Sequence, residues 1–170
     1  MYQKVPVLLD NGKSIVESSN IVYYIDEKYA NQNPLLPNCA YGRSRARFWP
    51  DFIDKKIHEA GMAIWKSTKG DELEVAKKDF IDILKKLEGA LGDEGYLGGD
   101  NFGYVDVIAI SMTCWFHAYE KFGEFKVEEC PKFDAWIKRC LKRESVASVL
   151  PDPEKVFEFV VMLRKMHGIE

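Results

Sequence analysis

The sequence lacks the features of a membrane protein, a nucleic-acid-binding protein or a disulfide-stabilised secreted protein. No apolar run approaches the ~20 residues that a membrane-spanning helix needs, and no basic, apolar leader opens the chain. The formal net charge of -3 provides no attraction for nucleic acid. The 4 cysteines do not have the spacing of metal ligands. We therefore expect a cytosolic protein with reduced thiols that binds no metal, no membrane and no nucleic acid.

What the sequence does contain is enough apolar material for a sizeable core. The chain has 170 residues, of which 46% are hydrophobic. A segment rich in helix breakers at residues 31–39 predicts a linker. We expect a small domain at residues 1–30 and a helical domain at residues 40–170, in which apolar residues recur at helical spacing.

The first apolar segment predicts a β-hairpin. Asn11-Gly12 tolerates positive φ at both positions and therefore closes a two-residue turn between two short strands. Pro6 cannot donate to a β-ladder. Two readings are open for it: a cis Val5-Pro6 bond that turns the Val5 backbone towards a peptide ligand, or a plain trans proline at a sheet edge.

A Glu-Ser pair follows the second strand and precedes a predicted helix that ends near Tyr29. Ser18 is a good N-cap residue, and the free amides of a helix N-terminus attract a carboxylate. Glu17 has the charge to pair with an amine. The pair therefore suits the amino-acid end of a ligand. Taken in isolation, a plain cap and a solvated glutamate are the simpler explanation.

Matches to one family extend over essentially the whole chain. They begin with KVPVL at residues 4–8, NGK at 11–13, ES at 17–18 and IVYYIDE at 21–27, and they continue at residues 34–37, 45–49, 51–56, 138–140, 143–147 and 150–156. On these motifs the sequence resembles the glutathione transferase family, specifically the plant tau class. The resemblance implies a mostly α-helical fold, in which a partial thioredoxin-like layer (a β-hairpin plus a helix) precedes an all-helical domain.

The resemblance also implies a glutathione site at residues Lys4, Val5, Pro6, Glu17 and Ser18. In it Pro6 is the cis-proline, the Val5 backbone pairs with the cysteinyl part, Glu17 and Ser18 hold the γ-glutamyl end, and Lys4 lies near the glycyl carboxylate. Glutathione is the co-substrate and no prosthetic group is implied. Family members carry a thiolate-stabilising serine in an earlier strand-helix-strand segment. No residue here matches it, so we expect no catalytic residue and weak activity in this chain, whether it is a natural short product, a fragment or an incorrect gene model.

The resemblance places a hydrophobic acceptor site on the helical domain. The matching residues are His58, Met62, Trp65, Trp115, Phe159 and Leu163. Aromatic rings and a thioether suit flat apolar electrophiles. Alternative explanations are that Trp65, Phe159 and Leu163 belong to the core and that His58 is a surface residue.

The helical pattern makes several specific predictions. The first long helix covers residues 41–66, buries Phe48, Phe52, Ile53, Ile57, Ile64 and Trp65, and kinks before Pro50. The second covers residues 71–91, and a third, central helix covers residues 103–122, with Asp106 in a structural capping role. Pro131 and Pro153 each open a further helix.

Two functions remain open. One is conjugation of glutathione to hydrophobic electrophiles, with a peroxidase side activity. The other is non-catalytic binding of apolar ligands, or pairing with full-length relatives. The resemblance implies a homodimer, and it places three basic residues, Arg43, Arg45 and Arg47, near the dimer interface. A simpler explanation is that these arginines form a solvated face of the helix.

Overall fold

A short β-hairpin opens the part of the chain that the computed structural model describes, which is residues 4–29, 33–67 and 70–169. Strand β1 (Val7–Asp10) pairs antiparallel with β2 (Lys13–Val16), with Val7 opposite Val16. Asn11 and Gly12 have φ of 50° and 77°, the left-handed geometry that a two-residue turn requires. The predicted hairpin is therefore present.

Helix α1 (Ser18–Tyr29) packs on the hairpin and is tied to its tip. The Asp10 carboxylate accepts hydrogen bonds from the Tyr24 hydroxyl and the Lys28 ammonium. The Lys28 and Tyr24 bonds lower the pKa of Asp10 below its usual value. An ion pair between strand and helix thus helps to hold a two-stranded sheet that is marginal alone.

The rest of the described chain is helical. Its α-helices are α2 (Ala40–Lys66), α3 (Asp71–Leu91), α4 (Tyr104–Met112), α5 (Phe116–Gly123), α6 (Pro131–Leu141), α7 (Glu144–Ala147) and α8 (Pro153–Met166). Short 3-10 turns lie at Thr113–Trp115 and Val127–Glu129. The prolines at the starts of α6 and α8 occupy the first helical position, where their missing N–H costs nothing. No described helix is both long and apolar enough to cross a membrane.

The core forms where α2 packs against α3, α4 and α5. Ile53, Ile57 and Ile64 are fully buried on α2, as predicted. The prediction for Phe48 is wrong: it is 59% exposed and stacks on Phe52 at the surface. The buried stripe of α2 passes through Ala46 and Pro50, and a residue two positions from Ala46 points to the other side of the helix. Helix α2 continues through Pro50, and the kink stays a prediction.

The predicted single helix at residues 103–122 is wrong, because a 3-10 turn divides it into α4 and α5. At the division, the Ser111 and Thr113 hydroxyls donate to the carbonyls of Ile108 and Ile110, at 2.7 and 2.8 Å. Hydroxyls that bond back to the preceding turn compete with the regular helical pattern. An apolar run therefore did not guarantee one continuous helix.

Asp106 is the polar centre of the helical core and is 0% exposed. Its carboxylate accepts from the backbone N–H of Leu97 at 2.8 Å, from Gly103 N–H at 2.9 Å and from the Trp136 indole at 2.7 Å. Burial raises the pKa of Asp106, and these three donors oppose that rise. The group is enclosed and hydrogen-bonded, so its role is structural, as expected.

Helix α1 is joined to the helical core through the segment before α2. The Asp26 carboxylate accepts from the backbone N–H groups of Leu35 and Leu36, at 2.8 and 3.0 Å. Arg43 reaches Glu27 at 3.3 Å, so this arginine pairs with its own α1. Asn31 and Gln32 of the predicted linker lie outside the described residues, and the division into domains stays a prediction.

Candidate functional site

A cleft of about 520 Å³ lies between the hairpin layer and the helical core. One wall consists of the five residues predicted to bind glutathione. The opposite wall comes from α2, the end of α4 and the 3-10 turn. The residues lining the cleft are Lys4, Val5, Pro6, Glu17, Ser18, Asp54, Lys55, His58, Glu59, Met112 and Trp115.

The Val5–Pro6 peptide bond at the cleft is cis, as the resemblance implies. The paired register of the hairpin begins at Val7, so the Val5 backbone lies outside the ladder that β1 makes with β2. Val5 is 91% exposed. An exposed, unladdered backbone next to a cleft is available to an extended peptide ligand.

Glu17 has φ of 67°, which is unusual for a residue other than glycine. Its carbonyl accepts the first helical bond, from Ile21 N at 2.8 Å. Glu17 therefore occupies the cap position, and Ser18 is the first residue of α1 rather than the N-cap that the sequence predicted. Strained backbone of this kind concentrates at ligand sites.

The wall opposite the hairpin combines charge with apolar surface. Its polar residues lie on two adjacent turns of α2 and are Asp54, Lys55, His58 and Glu59. Lys55 is paired with Asp51 at 2.6 Å, so part of its charge is already balanced. The apolar part of this wall comes from Met112 and Trp115.

Two of the six predicted acceptor residues, His58 and Trp115, line the cleft. Phe159 stands beside it, with its ring centroid 6.2 Å from that of Trp115. Trp65 is only 5% exposed and its carbonyl accepts from Arg164, which makes it a core residue. Met62 and Leu163 are half-buried against the core and are not among the lining residues. Their acceptor role stays a prediction.

The sequence reasoning missed Asp54, Lys55, Glu59 and Met112. A signal was available for two of them. Asp54 precedes His58 by four residues and Met112 precedes Trp115 by three, and such spacings place residues on the same face of a helical segment. Lys55 and Glu59 show the same four-residue spacing as Asp54 and His58. However, an exposed pair of opposite charges on a helix is common and does not indicate a site.

The cleft carries groups complementary to a peptide that has a free amine and free carboxylates. It offers the carboxylate of Glu17, the ammonium of Lys4 and the first turn of α1 at Ser18. Charge-assisted hydrogen bonds are the strongest contacts that such groups make. Within the described ranges, no three His, Cys, Asp or Glu side chains gather where they could hold a metal ion.

Comparisons with known proteins give consistent matches along the chain. The family model for the glutathione S-transferase N-terminal domain matches residues 1–34, and the model for the C-terminal domain matches residues 58–139. Glutathione S-transferase U19 of Arabidopsis thaliana is 57% identical over 97% of this chain and 75% of its own length. Probable glutathione S-transferase parC of Nicotiana tabacum is 55% identical over 100% of this chain and 77% of its own length.

Solved structures lead to the same family. Rice GST1 in complex with glutathione superposes with a TM-score of 0.91 at 40% identity, covering 97% of this chain and 76% of that one. The tau class glutathione S-transferase of mango, Mangifera indica, superposes with a TM-score of 0.85 at 31% identity, covering 94% and 76%.

Proposed function

Since the chain belongs to the tau class of the glutathione S-transferase family, we propose that it binds glutathione in the cleft between the hairpin and the helical core. One observation carries this proposal. Residues 4–6 and residues 17–18, which are separated in sequence by the whole hairpin, line one cleft together with α2 and Trp115. A shared cleft is what a site for one small ligand requires.

The chemistry of glutathione matches the cleft group by group. The Glu17 carboxylate accepts from the γ-glutamyl amine, and the first turn of α1 at Ser18 receives the γ-glutamyl carboxylate. The exposed Val5 backbone pairs with the cysteinyl residue. Lys4 balances the glycyl carboxylate. The peptide then lies along the bend at Val5–Pro6, with its sulfur towards the space between the two walls.

The reaction we propose is conjugation. The cysteinyl thiol first loses its proton to solvent. The thiolate then attacks an electrophilic carbon, a carbon–sulfur bond forms, and the leaving group departs with its bonding electrons. Met112 and Trp115 offer apolar contact to the electrophile, and His58 lies at its polar edge. Reduction of an organic hydroperoxide to its alcohol, in which two glutathione molecules are oxidised to the disulfide and water is released, is a side activity, and detoxification in the cytosol is the corresponding role.

Thiol activation limits what this 170-residue chain can do by itself. An ordinary thiol has a pKa of about 8.5 and is mostly protonated at neutral pH. No residue of this sequence matches the serine that stabilises the thiolate in the family. We therefore expect the 170-residue chain to bind glutathione and to conjugate it slowly.

Calorimetric titration with glutathione tests the binding site. Glu17→Gln is expected to weaken binding roughly tenfold or more, because a hydrogen bond to a charged group contributes about 1.5–3 kcal/mol. Glu128→Gln, an exposed residue of the 3-10 turn at Val127–Glu129, is the matched control and should bind like the unaltered protein. Equal affinities for all three proteins, or no binding by any, would contradict the proposed site.

Turnover is measured separately with a chlorinated nitrobenzene and glutathione. The expected rate lies only slightly above the uncatalysed reaction. Rapid turnover would contradict the expected weakness of the chain, and it would leave the binding proposal intact.

A second candidate function is supported by the exposed hairpin. Val7 and Leu9 of β1 are 45% and 72% exposed, and the described sheet has only two strands. Exposed apolar strands recruit other chains, so the protein would then act as a dimer partner of full-length relatives. Its alternative role as a non-catalytic binder of apolar ligands is supported by Met112 and Trp115 in the cleft. Light scattering of the protein alone and mixed with such a relative distinguishes a monomer, a homodimer and a mixed dimer.

A further inference from the structure

The segment that carries Glu17 and Ser18 has to be held in an unfavourable shape. A left-handed residue other than glycine costs on the order of 1–3 kcal/mol and persists only where its surroundings impose it. Glu17, at φ of 67°, is such a residue, and both Glu17 and Ser18 are exposed. The restraint therefore comes from residues that flank the pair.

Two side-chain hydrogen bonds bracket the pair. On the strand side, the Asn20 amide donates to the carbonyl of Val16 at 3.1 Å. On the helix side, the Tyr104 hydroxyl donates to the carbonyl of Ser19 at 2.8 Å. Val16 directly precedes Glu17 and Ser19 directly follows Ser18, so each end of the segment has its own anchor.

Tyr104 is an effective anchor because it is itself immobilised. It is only 4% exposed, and its backbone N–H donates to the carbonyl of Leu35 at 2.9 Å. Its ring packs perpendicular to that of Tyr23, with centroids 5.9 Å apart, and the Tyr23 hydroxyl in turn accepts from Arg47 at 2.7 Å. The hydrogen bond from the Tyr104 hydroxyl thus fixes the first turn of α1 relative to the helical core.

We propose that Tyr104 is a positioning residue for the γ-glutamyl end of glutathione, and that Asn20 supports it from the strand side. This inference rests on the proposed function. Tyr104 does not line the cleft; its hydroxyl sets the position of the Ser19 carbonyl and thereby the orientation of Glu17 and Ser18. The helical core then contributes to glutathione affinity without touching the ligand.

The test is calorimetric titration of the whole chain with glutathione. Tyr104→Phe keeps the ring against Tyr23 and removes only the hydroxyl, and it is expected to raise the Kd about 3- to 10-fold, in keeping with the loss of one hydrogen bond. Asn20→Ala, an exposed and structurally mild change, is expected to act in the same direction. Tyr96→Phe removes a hydroxyl that lies outside the cleft and should leave the Kd within twofold.

A double-mutant cycle separates positioning from general destabilisation. If Tyr104 acts through Glu17, removing its hydroxyl in the Glu17→Gln background has a smaller effect on the Kd than in the unaltered protein. The same fold-change in both backgrounds, or an unchanged Kd for both Tyr104→Phe and Asn20→Ala, overturns the inference while leaving the proposed function standing. If the unaltered chain does not bind glutathione, the proposed function fails and the role assigned to Tyr104 fails with it.

Discussion

Two glycine-to-alanine substitutions in helices are expected to change stability in opposite directions. Gly61 lies within α2 and Gly89 lies within α3. Alanine is favoured over glycine in a helix by about 1 kcal/mol, so helix propensity alone predicts that both substitutions stabilise the protein. The surroundings of the two glycines reverse that expectation for one of them.

Gly61 is packed against the ring of Tyr119 on α5. A Cβ at residue 61 would lie 2.7 Å from the Tyr119 hydroxyl oxygen and nearer still to two ring carbons. Tyr119 is 1% exposed and packs against the rings of Phe80 and Phe116, at centroid distances of 5.4 and 6.2 Å, so a shift of its ring would disturb this buried cluster. Overpacking of this severity costs about 3 kcal/mol, which leaves a net loss of about 2 kcal/mol after the gain in helix propensity.

Gly89 is the matched control, because a Cβ at residue 89 would meet nothing within 4 Å. The substitution should therefore stabilise the protein by about 0.5–1 kcal/mol. The two variants are expected to differ by about 3 kcal/mol in the free energy of unfolding, although the chemical change is identical.

Urea unfolding followed by circular dichroism measures the difference. The midpoint should fall for Gly61→Ala and rise for Gly89→Ala at a constant denaturant slope. A Gly61→Ala protein as stable as the Gly89→Ala protein would refute the close packing of α2 against α5. Equal losses for both would show that the substitution acts on something other than local packing.

Three further predictions concern buried and paired groups. Asp106→Asn places an amide against at least one buried donor and should cost about 2–4 kcal/mol in urea unfolding, whereas Asp93→Asn at the surface should cost less than about 1 kcal/mol; similar losses would contradict the buried network. Because Lys28 lowers the pKa of Asp10, this pair stabilises the fold above the usual aspartate pKa and the benefit is lost as the pH falls through and below it. The difference in melting temperature between the unaltered protein and Asp10→Asn should therefore shrink on acidification from pH 7 to pH 3, and a constant difference would argue against the pair. Cys39 is exposed and the other three cysteines are buried, so an aromatic disulfide reagent should label one thiol rapidly in the native protein and 4 in urea; rapid labelling of more than one native thiol would contradict the packing.

The elements that could be predicted from the sequence are those whose cause lies within a few residues. Asn11-Gly12 closes the hairpin because both residues tolerate positive φ. Pro131 and Pro153 open helices because a proline at the first helical position sacrifices no hydrogen bond. The family was also identifiable, since its motifs are short local strings distributed over the whole chain.

The errors arose where distant contacts decide the outcome. Phe48 matched a helical apolar pattern, yet the buried stripe of α2 passes through Ala46 and Pro50, because the position of α2 on its neighbours selects the buried side. The run at residues 103–122 is apolar almost throughout, and the hydroxyls of Ser111 and Thr113 nevertheless mark the point where it divides. In both cases the apolar residues correctly indicated a helix that packs on the core. They did not determine which side of the helix is buried or where a helix ends.

The sequence by itself determined the family, the hairpin, the helix starts and the residue types available to hold a peptide thiol, because each depends on local backbone preference or on a local motif. Only the tertiary structure decided that Lys4, Glu17 and Trp115 share one cleft, that Trp65 belongs to the core, and that Tyr104 anchors the turn beside Glu17. Those facts depend on how the hairpin and the helices pack against one another, and packing brings together residues that no short stretch of sequence connects.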